Sequence, residues 1–442
     1  MAGAQRAHSP ADASQHPLFT RYRWQLFAAT WLSYAGFYVT RKVFGIVKAP
    51  MKAALGIDDL TLSWIWTAYL LAYMLGMFAT AALAQRIKNR TLLIAGMGLS
   101  VVVNLAVGCL FAGPGQAYWF LFALMLVHGL AQSTGWPSNA GLLASWTRRW
   151  ERGTVMGFWG TCYQLGSVFA KGFAAFIFGL SGLVWSYWAS SLFLLAVLVL
   201  FFFWGRESPD RAGIGSLRDG DARASSAKDT IGVPLPEPEP LSRAALVRMA
   251  LFMGSVYFTF KFLRYAIDSW SALLIAETFH WDAEAAGYLS TAFDWAGVLG
   301  VLMSGFISDR AFRGSRGPVI CLMTVGLVLG ITFLALFGAQ SPLLFGIGLA
   351  FMGFMLMGPD ALLSATAPMD LGSRHQAATA VAIINGLGSV GPIVQEPVIG
   401  WLKTSFGLDG VMIALWGVAI VAFIGTLGVW RLMRPFEKGA RN

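Results

Sequence analysis

The sequence predicts an all-α integral membrane protein whose twelve transmembrane helices form two pseudo-symmetric halves of six helices each. This prediction rests on an apolar composition, on twelve apolar runs of spanning length, and on motifs that repeat at a nearly constant offset. Of the 442 residues, 57% are hydrophobic and only 12% are charged. A water-soluble protein needs roughly 25% charged residues to cover its surface, and a disordered chain contains far fewer apolar residues. The composition excludes both classes and indicates a protein whose solvent is the lipid bilayer.

Each of the twelve apolar runs is long enough for a helix to cross a hydrocarbon core of about 30 Å at 1.5 Å per residue. The runs cover residues 25–47, 61–84, 92–112, 117–145, 153–180, 183–204, 246–277, 286–308, 318–338, 343–366, 377–402 and 410–432. A polar stretch rich in proline, aspartate, serine and glycine separates the sixth run from the seventh. The predicted boundaries are an N-terminal tail (1–21), a first half (22–205), a disordered linker (206–242), a second half (243–434) and a C-terminal tail (435–442).

The basic residues predict the orientation of the chain in the membrane. The net charge of +10 is concentrated in the tails, the linker and alternate loops, which is typical of membrane topology and gives no reason to expect a nucleic-acid partner. The opposite loops contain only Lys48, Lys52 and Lys403. Because basic loops stay in the cytoplasm during insertion, both termini and the linker are predicted to be cytoplasmic.

Three pairs of matching features indicate that the six-helix unit is duplicated. Arg41 and Arg264 are 223 positions apart, the loops that begin at Ala81 and Gly305 are 224 apart, and Pro137 and Pro359 are 222 apart. Two such halves, related by an axis along the membrane normal, place a substrate site between them at mid-depth. The second loop, GFISDRAFRGSR, contains Asp309 and Arg310, which are predicted to brace a cytoplasmic gate by charge pairing.

Nine ionisable residues fall inside the predicted spans, although each costs at least about 2.5–3.5 kcal/mol at the centre of a membrane helix. They are Arg41, Lys42, Lys171, Lys261, Arg264, Asp268, Asp294, Asp360 and Glu396. Such residues are predicted to bind a ligand or to pair with one another.

The two arginines are the most informative of the nine, because the repeat makes their helices equivalent. Arg41 and Arg264 are predicted to face each other across the pseudo-symmetry axis. Two guanidinium groups in one empty cavity repel each other, so the arrangement favours an anion from outside, and planar forks suit a phosphate bound bidentately. The alternative is a carboxylate partner for each arginine, which for Arg264 is Asp268 one helical turn on. Arg41 has no carboxylate within a turn.

The remaining charges in the spans have two possible roles. Lys171 and Lys261 are candidates for widening a positive cavity, whereas Lys42 points about 100° away from its neighbour and is expected to snorkel or to pair. The carboxylates are predicted to form salt bridges that break during transport or, alternatively, to carry a coupling proton; they are Asp268, Asp294, Asp360 and Glu396.

Few other residues indicate chemistry. Of the many aromatic residues, Tyr38 and Tyr265 lie beside the two arginines and are candidate donors to substrate oxygens. No nucleotide-binding loop, metal-ligand set or catalytic triad occurs, so neither a cofactor, nor a metal, nor an enzymatic activity is expected.

Several motifs resemble those of the organophosphate:phosphate antiporters of the major facilitator superfamily, which include bacterial glycerol-3-phosphate and hexose-phosphate transporters. These motifs are YAGFYVTRKVF around Arg41, FLRYAIDSW around Arg264, and GFISDRAFRGSR. The stretches HGLAQSTGWPSN (128–139) and MGPDALLSATAPMDLGS…AVAIINGLGSVGP (357–392) are similar to eukaryotic sugar-phosphate exchangers related to the glucose-6-phosphate translocase. The resemblance covers residues 22–434 outside the linker.

This resemblance implies the major facilitator fold and a site in which Arg41 and Arg264 hold the phosphoryl group. It also implies that Tyr38, Trp136 and Trp159 occupy matching cavity positions. The chain departs from the bacterial carriers at three positions: Met77 replaces a lysine, Tyr163 replaces a histidine, and Asp294 replaces a glutamate. Lys171 or Lys261 is a candidate for restoring the missing positive charge.

The predicted function is an antiporter of the cell inner membrane that exchanges inorganic phosphate for a sugar phosphate or glycerol phosphate. The resemblance implies a monomer with small-molecule partners. Two alternatives stay open: a proton-coupled symporter of another organic anion, such as a carboxylate or a phosphonate, and a transport-dead sugar-phosphate sensor.

Overall fold

The computed structural model of the chain describes residues 13–113, 118–148, 151–217, 242–312, 315–366 and 374–439. The α-helices in these ranges are α1 (Phe19–Ile46), α2 (Lys48–Leu55), α3 (Asp59–Leu83), α4 (Asn89–Ala112), α5 (Tyr118–Gln132), α6 (Gly135–Ser145), α7 (Arg152–Trp159), α8 (Thr161–Trp204), α9 (Arg243–Phe279), α10 (Ala283–Arg310), α11 (Arg316–Phe337), α12 (Pro342–Ala361) and α13 (Arg374–Gly439). The chain turns within α8 at Gly182 (φ 75°) and within α13 at Gly407 (φ 65°), so each of these elements contains two spans.

Eight helices of the described chain are long and apolar enough to cross a membrane, and the two kinked ones, α8 and α13, account for four of the predicted spans. The first and fourth predicted spans are the ones outside this set. In α1 the apolar run is interrupted by Arg41 and Lys42, and the fourth span is divided into the shorter α5 and α6. Together these elements form the predicted all-α fold of two six-helix halves.

The backbone repeats the duplication that the sequence motifs indicate. Gly56 (φ 62°) and His280 (φ 53°) both adopt the left-handed conformation that ends a helix, and they are 224 positions apart. Two residues after each, Asp58 and Asp282 accept hydrogen bonds of 2.8 Å from backbone N–H groups and cap α3 and α10. The same cap-and-turn geometry therefore occurs once in each half.

Both prolines of the repeat disturb their helices. A proline ring clashes with the carbonyl group four residues earlier, which for Pro137 belongs to Ser133. The helix is broken at that point, between α5 and α6. Pro359 lies inside α12, and a π-helical turn, Leu362–Thr366, follows it. The two equivalent spans are thus both irregular near the middle of the bundle.

Each half has its own apolar core. Buried residues of the second half form one cluster between Leu246 and Met433, and those of the first half form two others, one of which also includes Ala272 of the second half. The halves pack against each other mainly through α3 on α13 and α8 on α10. Large apolar side chains remain exposed on the bundle surface, including Phe78 (70%) and Leu343 (72%). This surface suits acyl chains and not water.

The two ends of the bundle differ in charge. We call the end that contains Arg23, Arg90, Arg148 and Arg206 the arginine end, and the end that contains Lys48, Lys52 and Lys403 the lysine end. Both described termini and the segment after α8 lie at the arginine end.

The first part of the predicted linker is folded against the first half. Glu207 accepts hydrogen bonds from the backbone N–H groups of Asn89 (3.0 Å) and Arg90 (2.8 Å) and so caps α4. The Arg206 guanidinium lies 3.8 Å from the centre of the Tyr22 ring. Residues 206–217 are therefore ordered by capping and stacking that composition did not predict, and residues 218–241 lie outside the described chain.

Candidate anion-binding site

A cavity lies between the halves, where α1 and α3 of the first half meet α9 of the second. It leaves about 40 Å³ accessible to the centre of a water molecule. Its lining residues are Tyr38, Arg41, Lys42, Gly45, Trp66, Tyr69, Leu70, Tyr73, Arg264, Tyr265, Asp268 and Ser269. The structure thus brings the two arginines of the repeat to one cavity, as the pseudo-symmetry predicts.

Arg41 lies in this cavity without a carboxylate partner in the described chain. Its Nε donates a hydrogen bond to Oε1 of Gln132 (3.0 Å), and its guanidinium carbon lies 4.9 Å from the Tyr38 ring centre and 4.7 Å from that of Tyr73. The Nη2 group is buried and has no hydrogen-bond partner among the described residues. A buried donor without an acceptor is costly, so this group favours a ligand that supplies an anionic oxygen.

Gln132 orients Arg41, and sequence reasoning did not single it out. Its Oε1 also accepts from the Tyr69 hydroxyl (3.2 Å), while its Nε2 donates to Thr40 Oγ1 (2.8 Å) and lies 2.9 Å from His128 Nε2. The available signal was a glutamine one helical turn after a histidine in an otherwise apolar span. These bonds hold the amide so that its oxygen faces the arginine.

Arg264 differs from Arg41 because it is already paired. Its Nη1 lies 2.8 Å from Oδ2 of Asp360, which is 5% exposed, and the rings of Tyr163 (5.7 Å) and Tyr265 (5.9 Å) flank the guanidinium. The alternative expectation of an Arg264–Asp268 pair is wrong. The Asp268 side chain is held by two lysines of the other half, and this leaves Arg264 to the carboxylate of α12.

A network of ion pairs joins the halves beside the cavity. Lys42 pairs with Asp268, and Lys171 lies 2.9 Å from Asp268 and 2.6 Å from Asp294. Asp294 also accepts a hydrogen bond of 2.9 Å from Ser167. Lys171, a predicted substrate ligand, is therefore enclosed by two carboxylates, and the predicted coupling residues Asp268 and Asp294 hold the halves together.

Glu396 forms a second, fully buried pair between the halves. The Lys48 ammonium pairs with this carboxylate, and both side chains are 0% exposed. Ser269 bonds to both partners, at 2.8 Å from Lys48 and 3.0 Å from Glu396. Lys48 also lies 3.7 Å from the centre of the Trp270 ring. The charge of Glu396 is therefore balanced by a residue that sequence analysis assigned to a loop.

Four charges form a further link at the lysine end. Lys52 lies 3.0 Å from Asp59 and 2.7 Å from Glu277, and Lys403 lies 2.7 Å from Asp59 and 2.5 Å from Glu277. Two of these contacts, Lys52–Glu277 and Lys403–Asp59, cross from one half to the other. This ring of charges closes the lysine end of the bundle.

The other predicted site residues lie apart from the cavity lining. Trp136 and Trp159 pack on Tyr34, with ring centres 5.5 and 5.4 Å away, and Tyr34 in turn packs on Tyr38. The two tryptophans therefore contact the cavity lining only indirectly, through Tyr34. Lys261 lies one turn before Arg264 on α9, where its ammonium is 3.5 Å from Ser389 Oγ.

The predicted gate residues are at the arginine end of α10. The Arg310 guanidinium carbon lies 5.1 Å from the Phe306 ring centre. The side chain of Asp309 lies outside the described residues, so the predicted Asp309–Arg310 brace stays a prediction.

Two similar six-helix units around a central charged cavity are an architecture typical of secondary transporters. The sequence pattern of the Major Facilitator Superfamily matches residues 26–394 and 253–442, and the chain belongs to this family. The resemblance that the motifs indicated is confirmed.

Among the relatives is a glycerol-3-phosphate transporter of Bacillus subtilis, 25% identical over 441 residues, with 96% of each chain covered. A probable hexose phosphate transport protein of Chlamydia pneumoniae is 26% identical (95% of this chain, 93% of the relative). The mouse glucose-6-phosphate exchanger SLC37A2 is also 26% identical (91% and 90%).

Solved structures confirm the fold. A bacterial homologue of the human lysosomal transporter Spinster, in an inward-facing and unoccupied conformation, has a TM-score of 0.72 at 14% identity, with 95% of this chain and 98% of that chain covered. A D-xylose-proton symporter has a TM-score of 0.73 at 12% identity, with 92% and 97% covered.

Proposed function

We propose that this protein exchanges inorganic phosphate for a phosphorylated small metabolite across a membrane. The observation that carries the proposal is the Arg41 guanidinium, which lies in the central cavity with a buried, unpartnered Nη2 group and no carboxylate among the described residues. The names of the relatives, glycerol-3-phosphate and hexose phosphate transporters, support the same class of ligand.

Phosphoryl oxygens match the chemistry of this cavity. A phosphate monoester has about −1.5 to −2 charges at neutral pH and three strong acceptor oxygens. Arg41 offers a planar fork of donors, and Tyr38, Tyr73 and Tyr265 present hydroxyl-bearing rings around it. The 40 Å³ of the cavity is too small for a hexose phosphate, so loading requires the halves to separate at one end.

Exchange follows from the charge of the empty site. An unpaired guanidinium in a low-dielectric interior opposes the movement of the halves, because its charge must remain poorly solvated while the cavity closes to both sides of the membrane. Either anion removes that cost, so the carrier turns over loaded in both directions. We further propose that the arginine end is cytoplasmic, that the protein is a monomer, and that it lies in the cell inner membrane.

Phosphate self-exchange in liposomes tests this function. We expect vesicles loaded with phosphate to take up labelled phosphate, and Arg41→Ala to abolish the uptake. Arg248→Ala is the matched control, because Arg248 lies on α9 with Arg264 but is exposed at its arginine end. Uptake that ignores internal phosphate and requires a pH gradient would contradict exchange and favour a proton-coupled carrier.

Gln132→Leu should weaken phosphate binding by about tenfold, since Arg41 would lose the hydrogen bond that orients it. Half-saturation in the exchange assay measures this. Gln164→Leu is the control, because Gln164 is also a buried glutamine of the first half but contacts Met357 Sδ (3.8 Å). An equal loss in both variants would show that Gln132 matters only for packing.

A further inference from the structure

The buried charges of the bundle leave two cations unpaired. Apart from the ring of charges at the lysine end, six cations and four carboxylates with described side chains lie in the interior: Arg41, Lys42, Lys48, Lys171, Lys261, Arg264, Asp268, Asp294, Asp360 and Glu396. All four carboxylates are paired, with Lys42, Lys48, Lys171 and Arg264 as their partners. In the described chain, Arg41 and Lys261 are therefore the cations of this set without a carboxylate, and the set has a net charge of +2.

Lys261 is placed close to the Arg264–Asp360 pair without being part of it. It precedes Arg264 by three residues on α9, a spacing that brings two side chains to the same face with Cβ atoms about 5–6 Å apart. Its ammonium rests 3.5 Å from Ser389 Oγ and 5.3 Å from the Tyr257 ring centre. Neither contact neutralises the charge.

One carboxylate oxygen of Asp360 has no hydrogen-bond partner among the described residues. Its Oδ2 pairs with Arg264 at 2.8 Å, while its Oδ1 is buried and has no hydrogen-bond partner among the described residues. Besides Arg264 and Lys261, the titratable side chains that face this carboxylate are Tyr163 of α8 and Tyr257 of α9. Lys261 is thus the one further cation of this group that could take over Asp360.

We propose that Asp360 changes partner from Arg264 to Lys261 when a phosphoryl dianion binds between Arg41 and Arg264. This inference rests on the proposed function. In the empty site, Asp360 occupies Arg264 and competes with the ligand for it. When the anion binds Arg264, a carboxylate without a counter-charge in the interior would be strongly unfavourable, and pairing with Lys261 avoids this.

The exchange of partners balances every charge. The dianion neutralises Arg41 and Arg264, and Asp360 neutralises Lys261, so the net charge of +2 falls to zero. A monoanion would leave one charge uncompensated in the interior. Lys261 is accordingly a positioning residue that determines the preference for dianions through Asp360 and does not touch the ligand.

A double-mutant cycle in the phosphate-exchange assay tests this inference with inorganic phosphate as the probe. We expect Lys261→Met to raise the phosphate concentration for half-maximal exchange by about tenfold, because Asp360 then stays paired with Arg264. In Lys261→Arg this concentration should stay within about threefold of the wild-type value. Asp360→Asn should remove the carboxylate that competes with phosphate for Arg264. Adding Lys261→Met to Asp360→Asn should therefore change the phosphate concentration for half-maximal exchange by less than about threefold. The same tenfold loss from Lys261→Met in both backgrounds would overturn the proposal, because Lys261 would then act without Asp360.

A pH comparison decides the matter even if Asp360→Asn does not fold. In Lys261→Met, Arg41, Arg264 and Asp360 together have a net charge of +1, which a phosphate monoanion balances and a dianion does not. The deficit relative to Lys261→Arg should therefore shrink from about pH 8, where the dianion predominates, to about pH 6, where the monoanion does. A deficit independent of pH would overturn the proposal. If wild-type protein exchanges no phosphate, or if Arg41→Ala exchanges it at the wild-type rate, the proposed function fails instead, which is a separate result.

Discussion

Arg41→Lys is expected to lower phosphate self-exchange by about 100-fold or more. The guanidinium donates from Nε to Gln132 and leaves Nη2 without a partner in the cavity. The same side chain can therefore be held in place by Gln132 and donate to a ligand. An ammonium group is a single point of charge. It cannot hold Gln132 at 3.0 Å and present a planar fork to two phosphate oxygens.

Arg248→Lys provides the control for this substitution. Arg248 is exposed at the arginine end of α9, so the same change of chemistry outside the cavity should leave exchange unaltered. Initial rates in liposomes, at equal amounts of folded protein, measure both variants. An Arg41→Lys protein that exchanges phosphate at close to the wild-type rate would show that bidentate binding is not required.

Glu396→Gln is expected to reduce the free energy of unfolding by about 3–5 kcal/mol, because it leaves the buried Lys48 ammonium without its counter-charge. Both side chains of this pair are 0% exposed. Ser269 and the Trp270 ring remain near the ammonium but supply only partial charges. Because the pair joins α2 to α13, the same change should also loosen the closed lysine end.

Glu277→Gln is the matched control, since Glu277 is also a glutamate that pairs with a lysine of the other half, Lys52. Its side chain is 40% exposed, so water replaces much of the lost interaction, and the expected effect is below about 1 kcal/mol. Adding Lys48→Met to Glu396→Gln should restore most of the stability, because no buried charge is then unpaired. Denaturant unfolding in detergent gives these values, and equal losses for the two glutamates would contradict a burial-based explanation.

The positions of the two arginines could be predicted because the argument from symmetry needs only their places in the two repeats. Once the two halves are recognised as copies, equivalent residues such as Arg41 and Arg264 must lie at the same depth around one axis. Their different surroundings could not be predicted in this way. Arg41 faces Gln132 and tyrosines, whereas Arg264 faces Asp360, and these partners come from spans that have diverged between the halves.

The sequence by itself determined the solvent, the twelve spans, the duplication and the list of buried charges, because hydrophobicity and spacing along one helix are local properties. Only the tertiary structure decided which charges pair. Asp268 lies one turn from Arg264 in the sequence, yet Lys42 and Lys171 of the other half hold it. The partner of a buried charge depends on the rotation and depth of each helix relative to its neighbours, and in a bilayer these are set by packing between helices and not by any one of them.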